Sequence, residues 1–499
     1  MIFSNWLLNR CEQSRVNSAY EFNQAKILSS GLDKPRPNCA VVGIFDLPEA
    51  STLAYLALYA LQHRGQEATG IVSSDGENLF KHARIGLVAD VFRRRDILES
   101  LPGNASIGHN RYSTTGTSIE DNVQPLLVED RNGPIALSHN GNLVNYYSLR
   151  RFLEEEGSLF RTSSDSELIL QLVARTRGKN IAERLAESLK VVNGAYSLAL
   201  LTRDKLIAAR DPHGFRPLCI GKKEEGWIIA SESCALDLLG ADYIRDVDPG
   251  EMVIIDKNGL TNMKFANSIE RHHCIFEFVY FSRPDSKIFG DNVDKTRRKL
   301  GHYLARGHPV KKGDIVFSVP DSSNTAALGF SHESGITFEL ALIRNHYVGR
   351  TFIEPEQRMR DFGVKIKFNP IEGVLKGKRV VVVEDSIVRG TTLRKLTSHI
   401  RAAGAAEVHI RVSSPPIISP CFYGMDFPTK KELMAAWHSI DEIRQFIGAD
   451  SLEYLTKEEL LASVPHDNGQ GYCTACFTSE YPVLLEDYRE VNDSENGSC

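Results

Sequence analysis

The sequence predicts a sheet-rich α+β half followed by an α/β half built on a parallel sheet, and three observations carry that reading. Val380-Val381-Val382-Val383 is too short for a lone helix and β-branched throughout, which reads as a strand buried on both faces at the centre of a parallel sheet. Between about residues 190 and 262, strand-like runs such as Ala195–Leu201 and Met252–Asp256 alternate with turns, the pattern of a sheet-rich domain. At 499 residues the chain can hold two or three domains with complete cores.

Composition narrows the partners. A net charge of −5 with 25% charged residues provides no overall basic field, so nucleic acid is not expected, and no apolar run reaches the length of a membrane span. Nine cysteines are too few for a disulfide scaffold and no secretory signal precedes them. A cytoplasmic setting with reduced thiols follows, which leaves the cysteines available as nucleophiles or metal ligands.

Residues 1–38 are polar and mixed, with Lys34-Pro35-Arg36-Pro37 as a breaker, and begin no domain; they read as a leader, a targeting segment or a start placed too early. Cys39–Phe45 is the first strand-like run. A helix follows in which Leu53, Leu56, Ala57, Ala60 and Leu61 are expected to share one face, ending at Gln62-His63-Arg64-Gly65.

This opening resembles the glutamine-hydrolysing domain of the class II, N-terminal-nucleophile amidotransferases. Leu61–Glu67, Gly108-His109-Asn110-Arg111-Tyr112-Ser113-Thr114, Ser138-His139-Asn140-Gly141-Asn142 and Ser164-Asp165-Ser166-Glu167 follow in the family order. The resemblance implies an αββα sandwich over residues 39–272 with Cys39 as nucleophile. It implies Asn140 and Gly141 as oxyanion hole, Arg111 on the glutamine α-carboxylate and Asp165 on its α-ammonium. In that family the nucleophile is the first residue of the mature chain and its α-amine, with a pKa near ~8, is the base. Residues 1–38 would then have to be removed. Ala40 stands where the family usually has glycine. Asp211–Leu218 is expected to pack and turn, and Cys219 and Cys234 to be core.

The second half opens near Phe278-Val279-Tyr280-Phe281-Ser282-Arg283-Pro284. The valine strand stops on Glu384 and Asp385, then Ser386-Ile387-Val388-Arg389-Gly390-Thr391-Thr392 makes a tight loop before a helix opening at Leu393. Ligands of open α/β sheets sit beyond the carboxyl ends of strands. Gly390 lets the backbone approach a phosphate, the threonine hydroxyls and neighbouring amides donate to it, and the helix N-terminus favours its charge. The acidic pair suits ribose hydroxyls or Mg2+. This run resembles the phosphoribosyl pyrophosphate signature of type I phosphoribosyltransferases. Asp321-Ser322-Ser323-Asn324, after the strand Ile315–Pro320, resembles their pyrophosphate loop, and Ser322, Glu384 and Asp385 are the expected contacts of the magnesium site. Arg344–Phe352 resembles the mobile loop that closes over substrate, with His346 where arginine is commoner; His346 itself is assigned no catalytic part.

Cys473-Thr474-Ala475-Cys476 alone would suggest half a zinc site or a redox pair. Together with Cys274 and Cys421, its surroundings resemble the iron–sulfur, propeptide-bearing subclass of the glutamine phosphoribosylpyrophosphate amidotransferases. That resemblance covers nearly all of residues 39–482 and implies a [4Fe–4S] cluster on the four cysteines; four thiolates would equally suit zinc. The domains expected are a leader over 1–38, the glutaminase over 39–272, a phosphoribosyltransferase domain over 273–420 and a C-terminal helical extension over 421–499. The implied reaction makes 5-phosphoribosylamine from glutamine and phosphoribosyl pyrophosphate, in a homotetramer inhibited by purine nucleotides. The rival readings are an unprocessed enzyme that uses free ammonia and a non-catalytic phosphoribosyl pyrophosphate or nucleotide sensor.

Overall fold

The computed structural model describes residues 39–112, 120–266, 270–345, 368–425, 427, 429–465, 469–485 and 487. The leader, Ser113, Thr114, Cys11, Cys499 and His346–Phe352 of the expected lid lie outside these residues.

Alternating short strands in the first half close into two sheets. The first has seven strands in the order Asp242–Asp246, Cys219–Lys223, Gly226–Ala230, Ala40–Phe45, Ala105–Arg111, Ala68–Ser74, Leu79–Ile85. The second has six: Gly259–Lys264, Glu251–Asp256, Leu206–Arg210, Gly194–Leu201, Gly133–Leu143, Leu126–Asp130. Both are antiparallel throughout. Their inner faces meet through Val41, Val72, Ile107, Ala136, Ala199, Leu206, Ile229 and Val253. The small side chains let the sheets come close: a Cβ on Gly43 would stand 2.9 Å from Leu206 Cδ1. Helices Ala50–Ala60 and Ser233–Leu239 cover one outer face, and Tyr146–Glu155, Asp165–Arg175 and Ile181–Leu189 the other. The result is a helix–sheet–sheet–helix sandwich.

The helix Ala50–Ala60 buries Ala57, Ala60 and Leu61 of its expected face and packs Leu53 against the core, departing from it at Leu56. It buries Ala50, Ala54, Ala57 and Leu58 and leaves Leu56 36% exposed. The helix lies close to the sheet, since a Cβ on Gly108 beneath it would stand 2.8 Å from the inward-facing Leu58 Cδ1.

The second half is a parallel sheet in the order Ile315–Ser318, Arg379–Glu384, Glu407–Val412, Ser451–Tyr454. Val380 to Val383 are fully buried at its centre, between helices on both faces. The stretch after 420, expected as a helical extension, supplies the outer strand Ser451–Tyr454 and the helix Ile440–Ile447 that packs beside it. Four residues reading Ser-Leu-Glu-Tyr are too short for a period of two to identify them. Farther on, Tyr472–Cys473 pairs in parallel with His273–Cys274, so the end of the chain returns to the junction of the two halves. No helix among the described residues is long and apolar enough to cross a membrane.

Candidate active sites

At the start of the sandwich, a small open cleft is lined by Cys39, Arg111, Tyr112, Gln124, His139, Gly141, Ser164 and Asp165. Cys39 precedes the strand Ala40–Phe45 and its Sγ donates to the Tyr112 carbonyl at 3.5 Å. Burial pushes its thiol up to about 11, against the Tyr112 contact and the Arg111 charge, so at neutral pH it keeps its proton until a base removes it. His139 is no such base. Its Nδ1 meets Ser166 Oγ at 3.1 Å and its Nε2 meets the Ala195 carbonyl at 3.5 Å. His109 is bonded to the His139 carbonyl at 2.9 Å, and burial lowers its imidazole to about 3.

Arg111 ends its strand with Nη1 donating to the Asn122 carbonyl at 2.6 Å. Asp165 opens the helix Asp165–Arg175, whose cap is Ser164, accepting from the Ser166 N–H at 3.3 Å. The carboxylate therefore sits at a helix N-terminus, favourable for negative charge. Burial works to raise the Asp165 carboxyl, but His139 at 3.6 Å, the Leu143 N–H at 3.1 Å and Arg111 outweigh it and hold it below the usual carboxylate range.

Gly141 needs to be glycine, since φ is +153° and a Cβ would lie 1.9 Å from the Ala195 oxygen. Asn140 beside it is fully buried yet does not line the cleft, and among the described residues neither of its amide atoms has a hydrogen-bond partner. A buried amide left so costs about 1–3 kcal/mol, which a ligand oxygen could recover.

The second site lies at the carboxyl ends of the neighbouring parallel strands Ile315–Ser318 and Arg379–Glu384. Ser322 Oγ donates to Asp385, Ser323 Oγ to Glu384 at 3.3 Å, and Ser386 Oγ to Asp385 at 2.6 Å. The two loops are thus clasped through their acids, and Glu384 and Asp385 are both buried. Asp321 instead faces outward, paired with Arg344 at 2.5 Å. Gly390 caps the helix Thr391–Ala402 with φ +72°, placing Thr391 and Thr392 in its first turn. Sequence reasoning missed the cover over this loop: Arg389 pairs with Glu432 at 2.8 Å, and Met434 N–H donates to the Val388 carbonyl at 2.9 Å. Nothing in the run 430–437 signals such a role.

It also missed the charges buried between the sites. Arg64 is fully buried, joined to Glu232 and to Glu277 at 2.6 Å; Arg216 reaches Glu277 at 3.3 Å, and His63 reaches Glu232 at 2.7 Å. Burial alone would raise both carboxyls, and the guanidinium groups hold them low.

Cys274, Cys421, Cys473 and Cys476 stand close enough that each thiol acts on the other three. Burial pushes every one up, Cys274 to about 12, while the buried Arg216 guanidinium favours charge on Cys274, Cys421 and Cys473. Four enclosed thiols beside a cation fit a group that binds four thiolates. A single zinc ion would need sulfurs at about 2.3 Å from one point. Among the described residues no three His, Cys, Asp or Glu side chains are so gathered. Four thiolates are the donor set of a [4Fe–4S] core as well as of a tetrahedral zinc site.

Residues 109–238 match the glutamine amidotransferase domain model and residues 315–414 the phosphoribosyl transferase domain model. The chain is similar to amidophosphoribosyltransferase 1, chloroplastic, of Arabidopsis thaliana, with 50% identity over 453 residues covering 90% of this chain and 80% of that one. Against the Bacillus subtilis amidophosphoribosyltransferase the identity is 48% over 451 residues, covering 90% and 94%. The solved structure of the B. subtilis glutamine phosphoribosylpyrophosphate amidotransferase complexed with ADP and GMP superposes with a TM-score of 0.85 at 47% identity, covering 90% of this chain and 98% of that one.

Proposed function

The chain belongs to the amidophosphoribosyltransferase family, and from that premise we propose how its own residues divide the reaction of purine biosynthesis that moves nitrogen from glutamine to phosphoribosyl pyrophosphate. The observation that carries the proposal is a buried Cys39 thiol with, among the described residues, no histidine disposed to deprotonate it. With residues 1–38 removed, its α-amine takes the thiol proton and Sγ bonds to the glutamine side-chain carbonyl carbon. The oxyanion formed there accepts from the Gly141 N–H and the Asn140 amide. The C–N bond then breaks, ammonia leaves with the proton, and water cleaves the γ-glutamyl thioester to give glutamate. Arg111 and Asp165 hold the amino-acid end of the substrate.

In the second site the Asp321–Ser323 loop holds the pyrophosphate and the Arg389–Thr392 loop the 5-phosphate, while Glu384, Asp385 and Ser386 orient the ribose. Ammonia attacks the anomeric carbon as its bond to pyrophosphate oxygen breaks, giving 5-phosphoribosylamine. Mg2+, held from the side of Ser322, Glu384 and Asp385, would supply charge neutralisation of the leaving group. The cluster on the four cysteines is structural in this reading. Inhibition by purine nucleotides, a homotetramer and a cytoplasmic setting complete it, the first in keeping with the ADP and GMP in the B. subtilis complex. The frame used is a glutaminase over 39–272 and a phosphoribosyltransferase from 273 that draws its outer strand from beyond 420.

Purified without oxygen, the protein is expected to form one glutamate and one pyrophosphate per glutamine in a Mg2+-dependent reaction, and to carry about four iron and four acid-labile sulfide per chain. Glutamate release without pyrophosphate would overturn the coupling, and about one zinc per chain would overturn the cluster. Asp165→Asn is expected to raise KM for glutamine about 10- to 100-fold, with a far smaller change in kcat, because it removes one charged hydrogen bond to the substrate's ammonium group. Since its carboxyl is held below the usual range, wild-type KM should stay flat from pH 8 down to about 5 as far as this group is concerned.

A further inference from the structure

Between the strand that carries Gly141 and the segment that carries Cys421 there is a direct seam, 280 residues apart in sequence. Asn142 Nδ2 donates to the Phe422 carbonyl at 2.9 Å. Gly424, with φ +96°, lies so near that a Cβ on it would stand 2.9 Å from the Gly141 carbonyl carbon and 3.1 Å from both its Cα and its oxygen. The loop cannot retreat from this contact easily. Arg216 donates to the Tyr423 carbonyl from Nε at 3.1 Å and from Nη2 at 2.7 Å, Phe215 stacks on the Tyr423 ring at 4.3 Å, and the Tyr423 hydroxyl donates to the Val483 carbonyl at 3.0 Å. On the other side, the strand Gly133–Leu143 is pinned by its pairing with Gly194–Leu201, in which Gly141 stands opposite Tyr196.

We propose that Phe422 and Gly424 are positioning residues for the glutaminase: their backbone braces the Gly141–Asn142 peptides from behind and sets the direction of the Gly141 N–H that receives the oxyanion. This rests on the oxyanion assignment made above. The physical requirement is stringent, because a donor must meet the oxygen as charge develops, and a shift of about 1 Å at such a group costs about 10²-fold in rate. The groups that grip the amino-acid end of glutamine lie on other elements, Arg111 at the end of Ala105–Arg111 and Asp165 at the start of its helix. A brace failure should therefore appear chiefly in the chemical step, the Leu143 N–H bond to Asp165 at 3.1 Å carrying at most a small effect on substrate binding.

The variants Gly424→Ala, which inserts the Cβ, and Asn142→Ala, which removes the tether without touching the cysteine segment, test this independently. Each is expected to lower kcat with glutamine about 10- to 100-fold while KM for glutamine stays within about threefold and ammonia-dependent synthesis within about twofold. The aldehyde analogue of glutamine, which forms a thiohemiacetal with Cys39 and presents an oxygen to the same donors, should lose affinity by a similar factor. Glutamate, which needs no oxyanion donor, should inhibit as before. If both variants lose glutamine- and ammonia-dependent activity together, if KM rises with kcat unchanged, or if the aldehyde and glutamate weaken equally, the brace is refuted. A parental protein that makes phosphoribosylamine from ammonia but not from glutamine would sink the glutaminase assignment itself, and the brace with it.

Discussion

Protein that retains residues 1–38, or carries Cys39→Ala, is expected to lose glutamine-dependent synthesis by on the order of 10⁴-fold or more while ammonia-dependent synthesis persists. Loss of a covalent nucleophile costs that much because the carboxamide then has no partner to form the thioester. The leader acts by another route to the same end. With a peptide bond on its nitrogen, Cys39 has no basic amine, and its thiol, pushed up to about 11 by burial, is almost wholly protonated at neutral pH. Processed wild-type enzyme should gain glutamine-dependent kcat as pH rises through ~8, where the α-amine becomes neutral. Intact mass fixes the first residue, and paired assays with glutamine and ammonia read the outcome. Full glutamine-dependent activity in a chain that still begins at Met1 would refute the α-amine as base.

The largest loss of stability is expected from Arg64→Met, about 3–5 kcal/mol, seen as a fall of roughly 5–10 °C in the midpoint of thermal unfolding. The methionine fills much of the space but leaves Glu232 and Glu277 buried without the guanidinium that joins them. The sign with pH follows from their depressed carboxyls. In the wild type, the stabilisation from that depression is present above the unfolded carboxyl pKa near ~4.3 and is lost as pH falls through the folded values. In the variant the carboxyls keep only Arg216 and His63 as charged partners, so burial raises them from their wild-type values and less of that stabilisation remains. The gap between the two proteins should therefore be widest at neutral pH and narrow as pH falls toward ~4. Arg64→Met combined with Glu277→Gln should recover part of the loss; an equal or greater loss in the double variant would show that packing, not charge, is what Arg64 supplies.

Legibility in the sequence followed the range of the interaction. Val380–Val383 announced a central strand because every position is buried, a pattern local to four residues. Cys39, Arg111, Gly141 and Asp165 could be named before any coordinates because their motifs recur in order, and they line one cleft. Asn140 could be named too, but not its lack of partners, which depends on the sheet around it. The inward face of the helix Ala50–Ala60 was read correctly at Ala57, Ala60 and Leu61 but not at Leu56, which is exposed, while Ala54 and Leu58 are buried. Arg64, Glu232 and Glu277 gave no sign of burial, since a charged residue looks the same in sequence whether solvated or enclosed. Glu432 over the phosphate loop and Phe422 against Asn142 were equally silent, because each contact closes a long loop with no periodicity to betray it.

The parallel pairing of Tyr472–Cys473 with His273–Cys274 sets an order of events during synthesis. Domains fold as they emerge, N-terminal parts first. Here the sandwich can assemble early, but the outer strand of the parallel sheet, Cys473 with Cys476, and Asp487, which accepts from the Tyr147 N–H at the start of the helix Tyr146–Glu155 at 2.6 Å, all emerge well after it. Both halves therefore wait on residues 451–487, so neither is completed before that stretch has emerged.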